Sequence, residues 1–243
     1  MSTTRVLRGE GLDKSYGRHP VLRNVTVEVR GGEIVGLLGP NGAGKTTTFS
    51  IIIGIIRPDR GTVMYNDEDL TTLPMHLRAR KGVTYLPQEP SVFRKLTVAE
   101  NVLAILETMR LSATERRERL EQLLAELHIS HLATHRADSL SGGERRRVEI
   151  TRALVMEPAF LLLDEPFSGI DPLSVVDIQD IILQLRGRGI GVLVTDHNVR
   201  ETLHICDRAY ILNDGSIFEE GTPQELTAST RARQVYLGER FRL

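Results

Sequence analysis

The sequence holds a single cysteine among its 243 residues. No disulfide can form within the chain, and a reducing compartment suits it. Cys206 stands in Leu203-His204-Ile205-Cys206, the place of a small buried apolar side chain. Net charge is nearly absent as well, at −1 with the histidines neutral, so bulk electrostatics give no reason to expect a nucleic-acid partner. No apolar run approaches the ~18–20 residues of a membrane span. The richest, Phe49 to Ile56, is interrupted by Ser50 and Gly54. Met1 to Glu10 has no apolar core of signal-peptide length. Internal repeats and low-complexity tracts are missing too. What remains is an ordinary globular composition on a chain long enough to bury a full core.

One stretch organises the rest. Gly39-Pro40-Asn41-Gly42-Ala43-Gly44-Lys45-Thr46-Thr47 fits the phosphate-loop pattern G-x-x-x-x-G-K-[ST] at every fixed position. The apolar run Ile34-Val35-Gly36-Leu37-Leu38 before it reads as a buried strand, and Thr47 to about Ile56 reads as a helix. Gly42 and Gly44 lack Cβ, so the backbone can turn tightly and bring its N–H groups against phosphate oxygens. The helix points the positive end of its dipole at the same anion. Lys45 would reach the β/γ-phosphates, and Thr46 would offer a hydroxyl to Mg²⁺.

Upstream, residues 4 to 30 alternate as two strands around Lys14-Ser15-Tyr16-Gly17. Tyr16 is either an ordinary turn tyrosine or a platform for a nucleotide base, a contact worth ~1–3 kcal/mol. Downstream, Pro58-Asp59-Arg60-Gly61 is a turn, Thr62 to Asn66 a strand, and Pro74 to Lys81 a short helix. Val83 to Pro87 is a further strand. Gln88 follows it, and its amide oxygen can hold Mg²⁺ or a water. From Thr97 to about His131 the pattern turns helical, with Val98, Val102, Ile105 and Leu106 on one face. Ser112-Ala113-Thr114-Glu115 is a capping box that opens a second helix, with Leu120, Leu123, Leu124 and Leu127 inward.

Ser141 and Glu144 form another capping box around Gly142-Gly143. That helix start is either a cap alone or a second anion site. Arg145-Arg146-Arg147 reads as surface charge. Ala159 to Leu163 is a continuous apolar run, as in a strand buried on both faces, and it ends in Asp164-Glu165. Asp164 is placed to hold Mg²⁺ through its water shell, and Glu165 to polarise an attacking water. Ser168-Gly169-Ile170-Asp171-Pro172 makes a turn before a helix to about Arg186. Gly191 to Thr195 is a buried strand ending in Asp196-His197. His197 either caps and packs or touches the γ-phosphate. Asn213-Asp214-Gly215 marks a hairpin, and the tail from Thr222 reads as two short helices.

Taken together these stretches resemble the nucleotide-binding subunits of ATP-binding cassette transporters, over nearly the whole chain and in the family's order. The resemblance implies an α/β P-loop NTPase fold with a mixed sheet core, an antiparallel β subdomain and an inserted α-helical subdomain. Residues 1–88 and 158–221 would form the ATPase core with its β subdomain, 89–157 the helical subdomain with the signature, and 222–243 a helical tail. ATP and Mg²⁺ are the implied ligands. Gly39 to Thr47, Tyr16, Gln88 and Asp164 would bind ATP, with Thr46, Gln88 and Asp164 (through water) serving the metal. Glu165 and His197 would be catalytic. The resemblance also implies a head-to-tail homodimer in which Ser141, Gly142 and Gly143 of one copy meet the ATP held by the other. Two membrane-spanning permease subunits would complete the assembly at the cytoplasmic face of the inner membrane.

Segments outside the shared motifs narrow the resemblance. Tyr85 to Val98, Phe167 to Pro172 and Val235 to Leu243 look like the ATPases of lipopolysaccharide export, in which the membrane subunits handle the lipid. The groove after Gln88, with Phe93 and Arg94, would then receive a helix from each permease; alternatively, Phe93 packs under the helical subdomain. ATPases of branched-chain amino acid importers have similar size and motifs, and partner identity separates the two. Cassette ATPases that act on DNA or ribosomes usually carry coiled-coil insertions or two cassettes, and neither is present here.

Overall fold

The computed structural model describes residues 5–239 and 241–243. β1 (Val6–Tyr16) and β2 (His19–Arg30) fold back on each other as an antiparallel hairpin that closes at Tyr16 and His19. Their buried face is apolar, from Leu7 and Leu12 to Val25, Val27 and Val29, the period-two pattern of a half-buried sheet. β3 (Ile34–Leu38) is buried at every residue and runs into the phosphate loop. α1 (Lys45–Ile53) follows, three residues shorter at its C-terminal end than the apolar pattern suggests. Gly54 ends it with φ 85, a left-handed stop that glycine adopts freely. β4 (Arg60–Tyr65) and β5 (Glu68–Asp69) complete a four-stranded antiparallel sheet in the order β2-β1-β4-β5. α2 (Met75–Arg80) then leads to β6 (Val83–Leu86).

Three helices follow without a strand between them: α3 (Val98–Leu106), α4 (Ala113–Glu126) and α5 (Gly142–Leu154). Each opens on a complete capping box, at Thr97/Glu100, Ser112/Glu115 and Ser141/Glu144. Both side chains satisfy helix N–H groups that have no partner within the helix. Val98, Val102, Leu106, Leu123, Leu124 and Leu127 all enter one core.

The rest of the chain builds the larger sheet with β7 (Phe160–Asp164), α6 (Pro172–Gly187), β8 (Gly191–Thr195), α7 (Val199–Ile205), β9 (Arg208–Asn213) and β10 (Ser216–Gly221). Its order is β10-β9-β3-β8-β7-β6. All neighbours pair in parallel except β10, which is antiparallel to β9. The consequence for function is direct. β3, β6, β7 and β8 end on the same edge, so the segments that follow them meet there. A crevice at the carboxyl ends of parallel strands is where such sheets bind ligands. α8 (Pro223–Ala228) and α9 (Thr230–Ala232) precede a wide turn at Arg233–Leu237. That tail packs on Leu38, Leu203 and Ile211, beneath the end of β3.

Candidate functional site

The phosphate loop surrounds a cavity of about 360 Å³. Asn41, Gly42, Gly44, Lys45, Thr46 and Thr47 line it from the loop, and Asp164 and Glu165 from the end of β7. Gly44 has φ 108, and a Cβ there would lie 2.5 Å from a methyl carbon of Leu22; both facts demand glycine. Gly39, Pro40 and Ala43 do not line the cavity; Gly39 and Ala43 are buried and Pro40 is exposed. The Lys45 ammonium donates to the carbonyl oxygens of Gly39 at 2.6 Å and Pro40 at 2.9 Å. Burial lowers the Lys45 pKa, while Glu165 and Asp164 oppose that shift. The lysine is thus a cation held by weak neutral acceptors, ready to exchange them for phosphate.

Tyr16 lies on the opposite rim and is 50% exposed, with the Lys14 ammonium 5.9 Å from its ring centre. His19 and Val21 share that rim, and neither was legible as a site residue. The signal was indirect: the hairpin that presents Tyr16 must place the first residues of β2 beside it.

The two carboxylates differ in setting. Asp164 is buried and accepts a 3.1 Å hydrogen bond from the Tyr85 hydroxyl. Burial pushes its carboxyl above the usual range, and the neighbouring Glu165 adds to this. Glu165 has φ 48, an unusual value for a residue with a side chain. Its carboxylate accepts from the Gln88 amide at 2.7 Å and lies 3.3 Å from His197 Nδ1. The edge therefore gathers Gln88, Glu165 and His197 from three strand ends into one cluster. Asp196 behind them is buried, accepts from the Phe167 and Asn198 N–H groups at 2.9 and 2.8 Å, and has its carboxyl raised by burial.

The donors suit Mg²⁺. One carboxylate, a hydroxyl and an amide oxygen fit a small hard cation that shares its coordination with substrate phosphates and water. Thr46 and Asp164 line one cavity, and Gln88 uses its amide nitrogen toward Glu165, which leaves its oxygen for a cation or water.

Ser141–Gly143 does not line this cavity. Ser141 is exposed, and its hydroxyl caps α5. Gly142 and Gly143 pack closely on Ile170 and Ser174. Within one chain the two candidate anion sites are separate.

Arg146 corrects the reading of three surface arginines. It is 5% exposed. Its guanidinium donates to the carbonyls of Glu165 at 2.8 Å, Pro166 at 3.3 Å and Pro87 at 3.0 Å, and it pairs with Glu149 at 3.1 Å. α5 is thereby tied to the backbone of the glutamate itself.

A second depression, about 460 Å³, is lined by Ile55, Met75, Ala79, Tyr85, Ile105 and Met156 among others, with Glu149 and Arg152 also contributing. Phe93 does not line it directly. It is 46% exposed and stacks under the Arg152 guanidinium, 4.6 Å from the ring centre, at the rim. Arg94 is exposed on the same turn.

A phosphate loop after β3, two carboxylates at the end of β7 and a capped Gly-Gly helix start define a nucleotide-hydrolysing cassette. The chain belongs to the ABC transporter family, whose profile matches residues 22–168. It is 61% identical to the lipopolysaccharide export system ATP-binding protein LptB of Acidithiobacillus ferridurans, over 99% of this chain and 100% of that one. It is 53% identical to the LptB of Escherichia coli K12, over 98% and 99%. Among solved structures, it superposes on the ADP conformation of an ATP-binding cassette of an ABC transporter with TM-score 0.87, 30% identity and coverage of 98% and 100%. A dimeric cassette in a post-hydrolysis state with bound ADP and Pi matches with TM-score 0.78, 28% identity and coverage of 89% and 98%.

Proposed function

We propose that this chain is the ATP-hydrolysing subunit of a lipopolysaccharide export transporter. Two copies would act together beneath two membrane-spanning subunits at the cytoplasmic face of the inner membrane. The observation that carries the hydrolytic reading is Glu165, which lines the phosphate cavity and is oriented by Gln88 and His197. The cargo rests on the full-length likeness to proteins named for lipopolysaccharide export.

The residues divide the work. Gly42, Gly44 and the N-terminus of α1 would receive the phosphates, and Lys45 would leave its carbonyl partners to neutralise them. Thr46, Asp164 and Gln88 would hold Mg²⁺, which would offset the developing negative charge of the phosphates when bound. Glu165 would accept a proton from the attacking water, with His197 steadying its carboxylate. Tyr16 would stack on the base. Ser141–Gly143 would complete the site of the other copy. The dimer then closes on ATP and opens once the γ-phosphate is released, a shift set by differential affinity. The 460 Å³ depression, with Phe93 and Arg94 at its edge, would seat a helix of each membrane subunit.

Gentle solubilisation of the host's membranes and recovery of the tagged chain tests the whole reading. Co-purification of membrane-spanning subunits together with lipopolysaccharide supports it. Recovery of amino acid permeases overturns the cargo and leaves the residue roles standing. No ATP turnover with Mg²⁺ overturns the enzyme.

A further inference from the structure

Arg78 is 1% exposed and heads the fully buried side chains by volume. It sits on α2, yet its guanidinium reaches the far end of α1. Nη1 donates to the carbonyls of Ile51 at 2.7 Å and Ile52 at 2.6 Å. Nε donates to Leu73 O at 2.8 Å and Nη2 to Thr71 O at 3.0 Å. Four of its five N–H donors are thus spent on main-chain carbonyls. Among the described residues no carboxylate forms a salt bridge with it. Asp69 only favours its charge from a distance, and burial pushes its pKa down to about 10.

A buried cation without an ion pair is expensive, and its position indicates what offsets the expense. The carbonyls at the end of α1 carry the negative pole of that helix, which a cation stabilises. Gly54 makes room: a Cβ there would lie 2.7 Å from Arg78 Nε, at a residue whose φ of 85 already calls for glycine. The opposite end of the same helix is the phosphate loop. α1 has nine residues, so guanidinium and bound phosphate would sit at the two ends of one rigid rod roughly 13 Å long.

The neighbours of Arg78 on α2 face elsewhere. Met75 and Ala79 line the 460 Å³ depression, and so does Ile55, one residue beyond Gly54. Both sides of the junction clamped by Arg78 therefore contribute wall to that groove. We propose that Arg78 is a positioning residue for the nucleotide site, joining α2 to the C-terminal end of α1 so that the groove wall and the phosphate loop move as one body. This rests on the reading of the depression as the seat of a membrane partner. In that reading Arg78 carries the partner's occupancy to the phosphates through α1, and nucleotide binding back to the groove.

Two measurements test it. The first is hydrogen exchange on the unaltered full-length chain without any partner. Adding Mg-ATP is expected to slow exchange at the amides of Gly54–Ile56 and along α2, residues that touch no nucleotide. Unchanged exchange there, with protection confined to the phosphate loop, overturns the proposal. It needs no membrane subunit, so a wrong choice of transporter would leave this arm standing.

The second compares R78K and R78M with the wild type in the assembled transporter. R78K keeps the charge but cannot span four carbonyls, and it is expected to fall between the other two. The expected signature is a KM for ATP raised roughly five-fold in R78M, the scale of one lost cation–helix contact. kcat of the isolated chain stays within a factor of roughly two, and stimulation by the membrane subunits is reduced without being abolished. M75A, which opens the groove wall, should lose part of its stimulation too, and the double variant should lose no more than R78M alone. Independent, additive losses would overturn the link, as would R78M with wild-type stimulation.

Discussion

Glu165 holds a left-handed backbone between two tethers. Its N–H donates to Thr195 O at 2.7 Å, and its carbonyl accepts from Arg146 at 2.8 Å. A residue kept in a sparsely populated conformation by flanking bonds is pre-set for one geometry, and here that geometry aims a carboxylate at the phosphate cavity. Glu165→Gln keeps the shape and removes the base. Turnover is expected to fall by about 10²–10⁴, the usual share of a general base, while ATP binding persists and a dimer accumulates with ATP on size exclusion. Unchanged turnover would remove Glu165 from the reaction. Asp164 makes a different prediction. Its carboxyl is raised by burial, so the native chain keeps a proton that the unfolded chain has lost. Stability therefore falls as pH rises from the ordinary carboxylate range through the raised value, and above it the buried charge remains a burden. Asp164→Asn removes that burden. The free variant should melt a few degrees higher at neutral pH, about 1 kcal/mol in a chain of this length, with hydrolysis lost. Melting curves without nucleotide, recorded from acid to neutral pH, check the sign; a lower melting temperature at neutral pH would refute it.

Among the elements, α5 has the unusual task of serving two places at once. Its first turn presents Ser141–Gly143, while Arg146, a turn further on, grips the loop after β7. Glu149 on the next turn accepts from the Ser91 N–H at 2.6 Å, and Arg152 donates to Ser91 O at 2.5 Å while covering Phe93. One helix thus spans from the groove rim to the backbone of Glu165. Arg146→Met strands Glu149 in a buried site, and such half-broken pairs lose about 3–5 kcal/mol. Arg146→Met combined with Glu149→Leu should recover most of that loss in urea unfolding, because the stranded charge is gone. If the pair variant is as unstable as the single one, the carbonyl bonds rather than the ion pair hold the helix. This element also marks the boundary of what sequence carries. The capping boxes at Ser112 and Ser141 were legible because both partners lie within one turn. The strands after Gly32 and before Asp164 were legible because a strand buried on both faces needs an unbroken apolar run. Arg146 was not: its carbonyl acceptors lie 19 to 59 residues away, and beside Arg145 and Arg147 it has the same local pattern as solvated charge. Arg78 hid for the same reason, and His19 because only the finished hairpin sets it beside Tyr16.

On the scale of the whole molecule, the phosphate cavity and the Ser141–Gly143 turn are two half-sites that one chain does not bring together, although a single motif order carries both. The loop at 39–47 was legible residue by residue. The sheet order β10-β9-β3-β8-β7-β6 was not, because nothing local says which strands lie beside β3. A composite arrangement makes a prediction that a self-sufficient chain does not. Lys45→Ala should disable the phosphate half-site and Ser141→Arg the other half, so neither variant alone should hydrolyse ATP. In an equal mixture, random pairing makes half of the dimers mixed. Each mixed dimer joins the intact loop of the Ser141→Arg chain to the intact turn of the Lys45→Ala chain at one of its two sites. If sites fire independently, about a quarter of the wild-type rate should return. No recovery would mean either that each chain works on its own ATP or that hydrolysis needs both sites intact. A covalently linked wild-type and double-variant pair separates these. That pair leaves each site with one good half, so sites shared between chains should be silent. Half activity there would establish a self-contained site and refute the composite dimer.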